Sequence, residues 1–207
     1  DASSSMAQGG KWTKTMTCVV AICKAASMIQ NLRVIVSFRT CSGGSRLDTE
    51  VLPYIVIAYD SSKDKFFKIT QLFSKIYPNG STPEGLTFEA ILNLIPPSNT
   101  EIDSYFLNLS DGEPCFSRSN RINDVYLYCG EEAALHTKKQ VDKIRKNGVK
   151  ILSYFIDDEN NILQSTIFVK SNSDLFKTMY GNSASFINIS NILDITKTMN
   201  KLFLSKN

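Results

Sequence analysis

Between Trp12 and Asn31 the apolar residues Met16, Val19, Val20, Cys23, Ala26 and Ile29 recur at spacings of three and four, which predicts a helix with one buried face. Arg33 to Thr40 is short and β-branched, and Tyr54 to Tyr59 repeats that character after a loop that opens Cys41-Ser42-Gly43-Gly44-Ser45. The two are expected to lie side by side as antiparallel strands. A helical pattern from Lys63 to Tyr77 places Phe66, Ile69, Phe73 and Ile76 on one side. Thr82 is a candidate N-cap and Pro83 a candidate first residue of a helix that runs to about Leu94 and stops before Pro96-Pro97. Ser104 to Leu109 is nearly continuous in apolar character, as the centre of a parallel sheet requires.

Cys115 to Gly130 has no clear period and reads as a long connection. Glu131 to Asn147 reads as a helix with acidic residues first and basic residues last, in accord with the helix dipole, and Gly148 closes it. Val149 to Ile156 reads as a strand, 157–160 as a turn, Asp174 to Met179 as a short helix ended by Gly181, Ser185 to Ile189 as a strand, and Ile192 to Leu204 as an amphipathic helix. Helices alternating with short apolar strands predict an α/β chain, with a mainly parallel, doubly wound sheet between helix layers and one domain over 1–207.

Composition narrows the function classes. Of the 207 residues, 43% are hydrophobic and 21% charged, which excludes a disordered or fibrous chain. A net charge of +3 is too small to argue for nucleic acid, and no apolar run reaches the roughly 18 residues of a membrane span. The five cysteines form no CxxC pair, so neither a zinc site nor a disulfide framework is expected and a reduced, cytoplasmic setting is favoured. Three Asn-x-Ser sequons begin at Asn79, Asn108 and Asn188; Asn108 falls in the buried strand, and glycosylation is not expected. The chain opens on Asp1 without an initiator Met or a leader, which suggests a processed product or part of something longer.

In doubly wound sheets ligands bind beyond the carboxyl ends of the strands. Three loops fall there: Asp1-Ala2-Ser3-Ser4-Ser5, then Gly80-Ser81-Thr82-Pro83-Glu84-Gly85, then Ser110-Asp111-Gly112-Glu113-Pro114. All offer hard oxygen donors, which suit Mg²⁺. Taken singly each has a plainer reading: a chance Ser-rich segment, a helix cap and a turn. Together, Asp-x-Ser-x-Ser, a Gly-Ser-Thr-Pro loop and Leu-Ser-Asp-Gly-Glu-Pro resemble the von Willebrand factor A (vWA) domain and its metal-ion-dependent adhesion site.

The resemblance implies a Rossmann-like doubly wound fold. It implies metal positions at Asp1, Ser3, Ser5, Thr82 and Asp111, and a bound Mg²⁺ (or Mn²⁺ or Ca²⁺) whose open coordination position is filled by an Asp or Glu of a partner protein. Gly-Glu-Glu-Ala-Ala-Leu-His-Thr and the closing Met-Tyr-Gly and Phe-Ile-Asn-Ile segments look most like the intracellular CobT-type branch of bacteria and large phages. That branch implies an AAA+ ATPase partner of the MoxR or CobS type. The family's sheet also has a central strand just before the first Asp, so a strand ahead of Asp1 is expected between Arg33–Thr40 and Ser104–Leu109.

The remaining chemistry-bearing residues read plainly. His136 is the only histidine, and a nucleophilic pairing with Cys115 or Cys129 has no support from spacing. Glu113 is expected to be structural, and the Lys138–Lys150 basic stretch to be a solvated helix face. Asp111 is expected in a solvent-facing loop. The function expected is a non-enzymatic, divalent-cation-dependent protein-binding module; the alternatives are a non-catalytic subunit of a CobT-like metal-chelatase complex and a phage structural or assembly protein.

Overall fold

A computed structural model describes residues 1–41, 52–119, 125–157 and 171–204. After a 3-10 segment at Ser4–Gly10 come helix α1 (Lys11–Ala26), strands β1 (Ile35–Cys41) and β2 (Pro53–Asp60), and helices α2 (Phe67–Phe73) and α3 (Glu84–Ile91). Strands β3 (Tyr105–Ser110), β4 (Phe116–Ser119) and β5 (Val125–Tyr128) follow. The chain then runs through α4 (Gly130–Lys146), β6 (Lys150–Asp157), α5 (Asn172–Tyr180), β7 (Ala184–Asn188) and α6 (Leu193–Leu204).

β3, β6 and β7 form a parallel sheet in the order β3-β6-β7, with Leu107 opposite Leu152 and Phe155 opposite Phe186. Successive side chains of a strand point to opposite faces. Ile151 and Phe155 therefore pack on Phe88 of α3, Val141 and Ile144 of α4, and Phe176 and Met179 of α5. Leu152, Tyr154 and Ile156 face the other way, onto Cys18 and Ile22 of α1 and Ile195 and Met199 of α6. The result is an α/β, Rossmann-like fold with helices on both faces of a parallel sheet. Among the described residues no helix is long and apolar enough to cross a membrane.

β1 and β2 are antiparallel, as their spacing predicts, with a bulge between Val36 and Ser37. Phe38 and Ala58 of this pair close a separate apolar cluster with Trp12 and Met16 of α1 and with Met6. α1 thus serves two cores, which is why a helix of mixed pattern is buried along much of its length. β1 and β3 are not paired with each other, and no strand lies between them among the described residues. Among the described residues the first two bridge their backbones: the Asp1 nitrogen donates to Leu109 O (2.9 Å) and the Ala2 N–H to Arg39 O (3.0 Å).

Three local expectations are corrected. Cys115–Gly130 is not an open connection: β4 and β5 pair antiparallel, and a Cys115–Cys129 disulfide closes the hairpin. Four-residue strands are too short to show a period, and the cysteine pair has no local spacing signature. Thr82 is not an N-cap; Pro83 holds that position without a side-chain bond, because Thr82 uses its backbone to bridge Cys115 (2.8 and 2.9 Å). The helices expected at 12–31 and 63–77 are shorter, at α1 and α2, the first ending in turns that reach the left-handed Asn31 (φ 63°). Of the expected turn at 157–160, Asp157 closes β6 and the rest lies outside the described residues.

Candidate metal centre

The loops carrying the candidate ligands meet at one edge. The Ser4 N–H donates to Gly80 O (2.9 Å) and the Asn79 N–H to Ala2 O (2.8 Å), which lays the 79–82 loop along the Asp1 segment. Gly80 makes this approach possible: its φ is +76°, and a Cβ there would stand 2.6 Å from Cys41 O. Asp111 arrives directly after β3, whose last residue Ser110 donates its hydroxyl to Asp1 Oδ2 (2.8 Å).

Four of the five expected residues form one hydrogen-bonded chain, three of them through their side chains and Asp1 through the Ser3 amide. The Ser3 N–H donates to Asp1 Oδ1 (3.0 Å), Ser3 Oγ and Ser5 Oγ lie 3.0 Å apart, and the Ser5 hydroxyl donates to Asp111 Oδ1 (2.7 Å). Thr82 is buried and reaches the same edge through its backbone ties rather than through this chain of contacts. One expectation fails: Asp111 does not face solvent but is 4% exposed, because Lys11 at the start of α1 lies over it, Nζ to Oδ2 2.9 Å.

Beneath the loops lies a buried polar network. Arg39 donates to Asn108 Oδ1 (2.6 Å) and to Glu84 Oε1 (3.0 Å) and stands 3.8 Å from Asp1 Oδ2. Asn108 Nδ2, with two hydrogens to give, lies within hydrogen-bond distance of Glu84 Oε1 (3.0 Å), Ser153 Oγ (2.9 Å) and Tyr180 OH (2.9 Å), and Tyr180 donates in turn to Glu84. Burial, then the nearby Glu84 charge, push the Tyr180 phenol well above its ordinary range, so it stays a donor.

Sequence reasoning passed over Lys11, Arg39, Glu84, Asn108 and Ser110. A signal was present for two of them, since Arg39 and Asn108 interrupt otherwise apolar strands. Glu113 behaves as expected, its carboxylate accepting from the Gly130 N–H at the start of α4 (2.8 Å). His136 contacts Tyr128 OH (3.0 Å) and Gln140 (2.9 Å), and the disulfide leaves Cys115 and Cys129 no free thiol to pair with it. The basic stretch on α4 and its exit meets acids, Lys138 on α4 with Asp142 (2.6 Å) and Lys150 at the start of β6 with Asp103 (3.2 Å).

Among the described residues no group of three or more His, Cys, Asp or Glu comes together to hold a metal. The set at this edge is of another kind, two hydroxyls in mutual hydrogen-bond reach with one of them on the Asp111 carboxylate, and the Asp1 carboxylate held alongside by the Ser3 amide; hard oxygens of that sort fit a Mg²⁺-class ion.

No family profile and no curated protein matches the sequence. Solved structures do. The pilus adhesin SpaC from Lactobacillus rhamnosus GG in its open conformation is similar over 98% of this chain and 29% of its own, with a TM-score of 0.60 at 10% identity. A second form of the same adhesin gives 0.60 and 10% over 98% and 30%. At such identity the likeness concerns the fold alone, and this chain spans less than a third of the structures it matches.

Proposed function

We propose that this chain is a non-enzymatic protein-binding module of the vWA kind, using a divalent cation at Asp1, Ser3, Ser5, Thr82 and Asp111. The observation that carries this reading is the convergence of Asp1, Ser3, Ser5 and Asp111, drawn from opposite ends of the first 111 residues: the Ser3 amide holds the Asp1 carboxylate, and the Ser3 and Ser5 hydroxyls lead on to Asp111. Mg²⁺ is the ion such donors suit, with Mn²⁺ or Ca²⁺ as substitutes. When bound, the ion supplies a Lewis-acidic position for an Asp or Glu of the partner. The protein's own residues do the rest: Ser110 and the Ser3 amide fix the Asp1 carboxylate, and Arg39 is held behind it by Glu84 and Asn108.

The resemblance to the CobT-type branch supports an AAA+ ATPase partner in the cytoplasm, with a chelatase subunit or a phage assembly protein as variants of that reading. The Cys115–Cys129 disulfide favours a second reading, because such bonds persist in oxidising compartments. An adhesive role outside the cytoplasm, with a carboxylate-bearing surface protein as partner, suits that chemistry and the fold shared with a pilus adhesin.

The test uses Asp111→Asn, which keeps the shape of the buried side chain. Wild type should gain thermal stability with Mg²⁺, about 2.7 kcal/mol at a hundredfold excess over Kd, and the variant should not. Capture of ATPase or surface-protein candidates should vanish with chelator. Capture that survives both chelator and the substitution would place the binding surface elsewhere.

A further inference from the structure

Each carboxylate of the candidate centre already faces a fixed positive charge, and the two are held differently. Arg39, opposite Asp1, sits in β1 with its guanidinium locked by Glu84 and Asn108. Lys11, opposite Asp111, stands at the first turn of α1 on a flexible four-carbon stem, 8% exposed, with its Nζ on Asp111 Oδ2 at 2.9 Å. Asp111 Oδ1 is taken by the Ser5 hydroxyl, so both oxygens of this carboxylate are engaged.

We propose that Lys11 is a tethered cation that competes with metal for Asp111, so that a divalent ion binds only by exchange with the lysine and Lys11 sets the affinity of the site. The inference rests on the reading of this edge as a metal centre. Two cations cannot share one buried carboxylate without strong repulsion, because the low local dielectric screens them poorly. An ammonium on a long apolar stem is the group that can leave, since its head regains water while its stem stays against the protein. Arg39 has no such freedom.

The experiment measures Mg²⁺ and Mn²⁺ affinity by calorimetry for wild type, Lys11→Met and Lys11→Gln. It also measures the acetic anhydride labelling rate of wild-type Lys11 by mass spectrometry, with saturating Mg²⁺ and with chelator, using exposed Lys197 as the internal reference. Both variants should bind the ions at least about tenfold more tightly, and Lys11 labelling should rise several-fold when Mg²⁺ is present. Binding by the variants but not by wild type would support the proposal in its strongest form. Unchanged or weaker affinity in the variants, with wild type still binding, overturns the role of Lys11 and leaves the metal centre standing. Absence of binding in all three removes the metal centre and the lysine's role with it. Should neither variant fold, the labelling decides, and a Lys11 indifferent to saturating cation overturns the proposal.

Discussion

The β3-β6-β7 sheet and the β1-β2 pair carry the same edge of the molecule but are held by different forces. The parallel sheet is clamped between two apolar layers, with Phe155, Ile156, Phe176, Met179 and Ile195 all essentially without solvent contact. The antiparallel pair has one apolar face on α1, while Tyr54, Val56 and Ile57 remain exposed. Its attachment to the parallel sheet runs through polar groups: Arg39 to Asn108 and Glu84, and the Asp1–Ala2 backbone to Leu109 and Arg39. Apolar burial is indifferent to charge state, whereas a buried ion pair is only as good as its partners. The candidate metal site therefore lies on a seam whose integrity depends on charge, beside a core whose integrity does not.

The largest effect should come from the seam. Glu84→Ala leaves Arg39 buried without its carboxylate and should cost about 3–5 kcal/mol in urea unfolding. Pairing it with Arg39→Met should lose less than Glu84→Ala alone, since a buried pair can often be replaced by apolar groups. A double variant no more stable than Glu84→Ala would mean the seam is held by packing. In the parallel sheet, Met179→Ala should cost about 2–4 kcal/mol through the cavity it leaves, with the same loss at low and high salt. A salt-dependent loss there would erase the distinction between the two halves.

A smaller gain is expected from filling the gap between β1 and β3. Among the described residues their backbones are bridged at the Asp1–Ala2 segment, and Ile35 and Ser37 are exposed while Tyr105, Phe106 and Leu107 are half-buried. Five β-branched residues fused ahead of Asp1 should raise the melting temperature by a few degrees, at about 2–4 °C per kcal/mol for a chain of this size. A polar Gly-Ser extension of equal length should not.

The smallest effect is on pH. Arg33, through its hydrogen bonds (2.7 and 3.0 Å), and then Ser62 hold the Asp60 carboxyl well below its ordinary 3.8. With the folded-state value depressed, this contribution is complete above pH 3.8 and is lost as pH falls toward the folded value. Arg33→Ala should lower stability by a small constant amount above about pH 4, and the two curves should converge as pH falls below it, which flattens the variant's acid limb. An unaltered acid limb would show that Ser62 alone holds Asp60.

Much of the fold was legible because its elements are long and regular in pattern. α1, α4, β1, β2, β3 and β6 are each visible in the spacing of apolar residues, and the order of helices and strands settles the class. The β4-β5 hairpin was not, since four-residue strands carry no period and Cys115 and Cys129 meet only once the chain has turned back. At the candidate site, Asp1, Ser3, Ser5 and Asp111 were recognisable by type and motif, and the structure brings them together. The burial of Asp111 was not recognisable, because it depends on Lys11, a hundred positions away.

The sequence by itself determined which residues supply oxygen donors and which segments must be strands or helices, because periodicity and residue chemistry are local properties. Only the tertiary structure decided which charges face one another. Lys11 on Asp111, Arg39 between Asp1 and Glu84, and Tyr180 on Glu84 join residues that lie 38 to 100 positions apart. In a dry interior the partner of a charge, rather than its identity, fixes what it costs and what it can release, and partners are assigned only when the chain closes on itself.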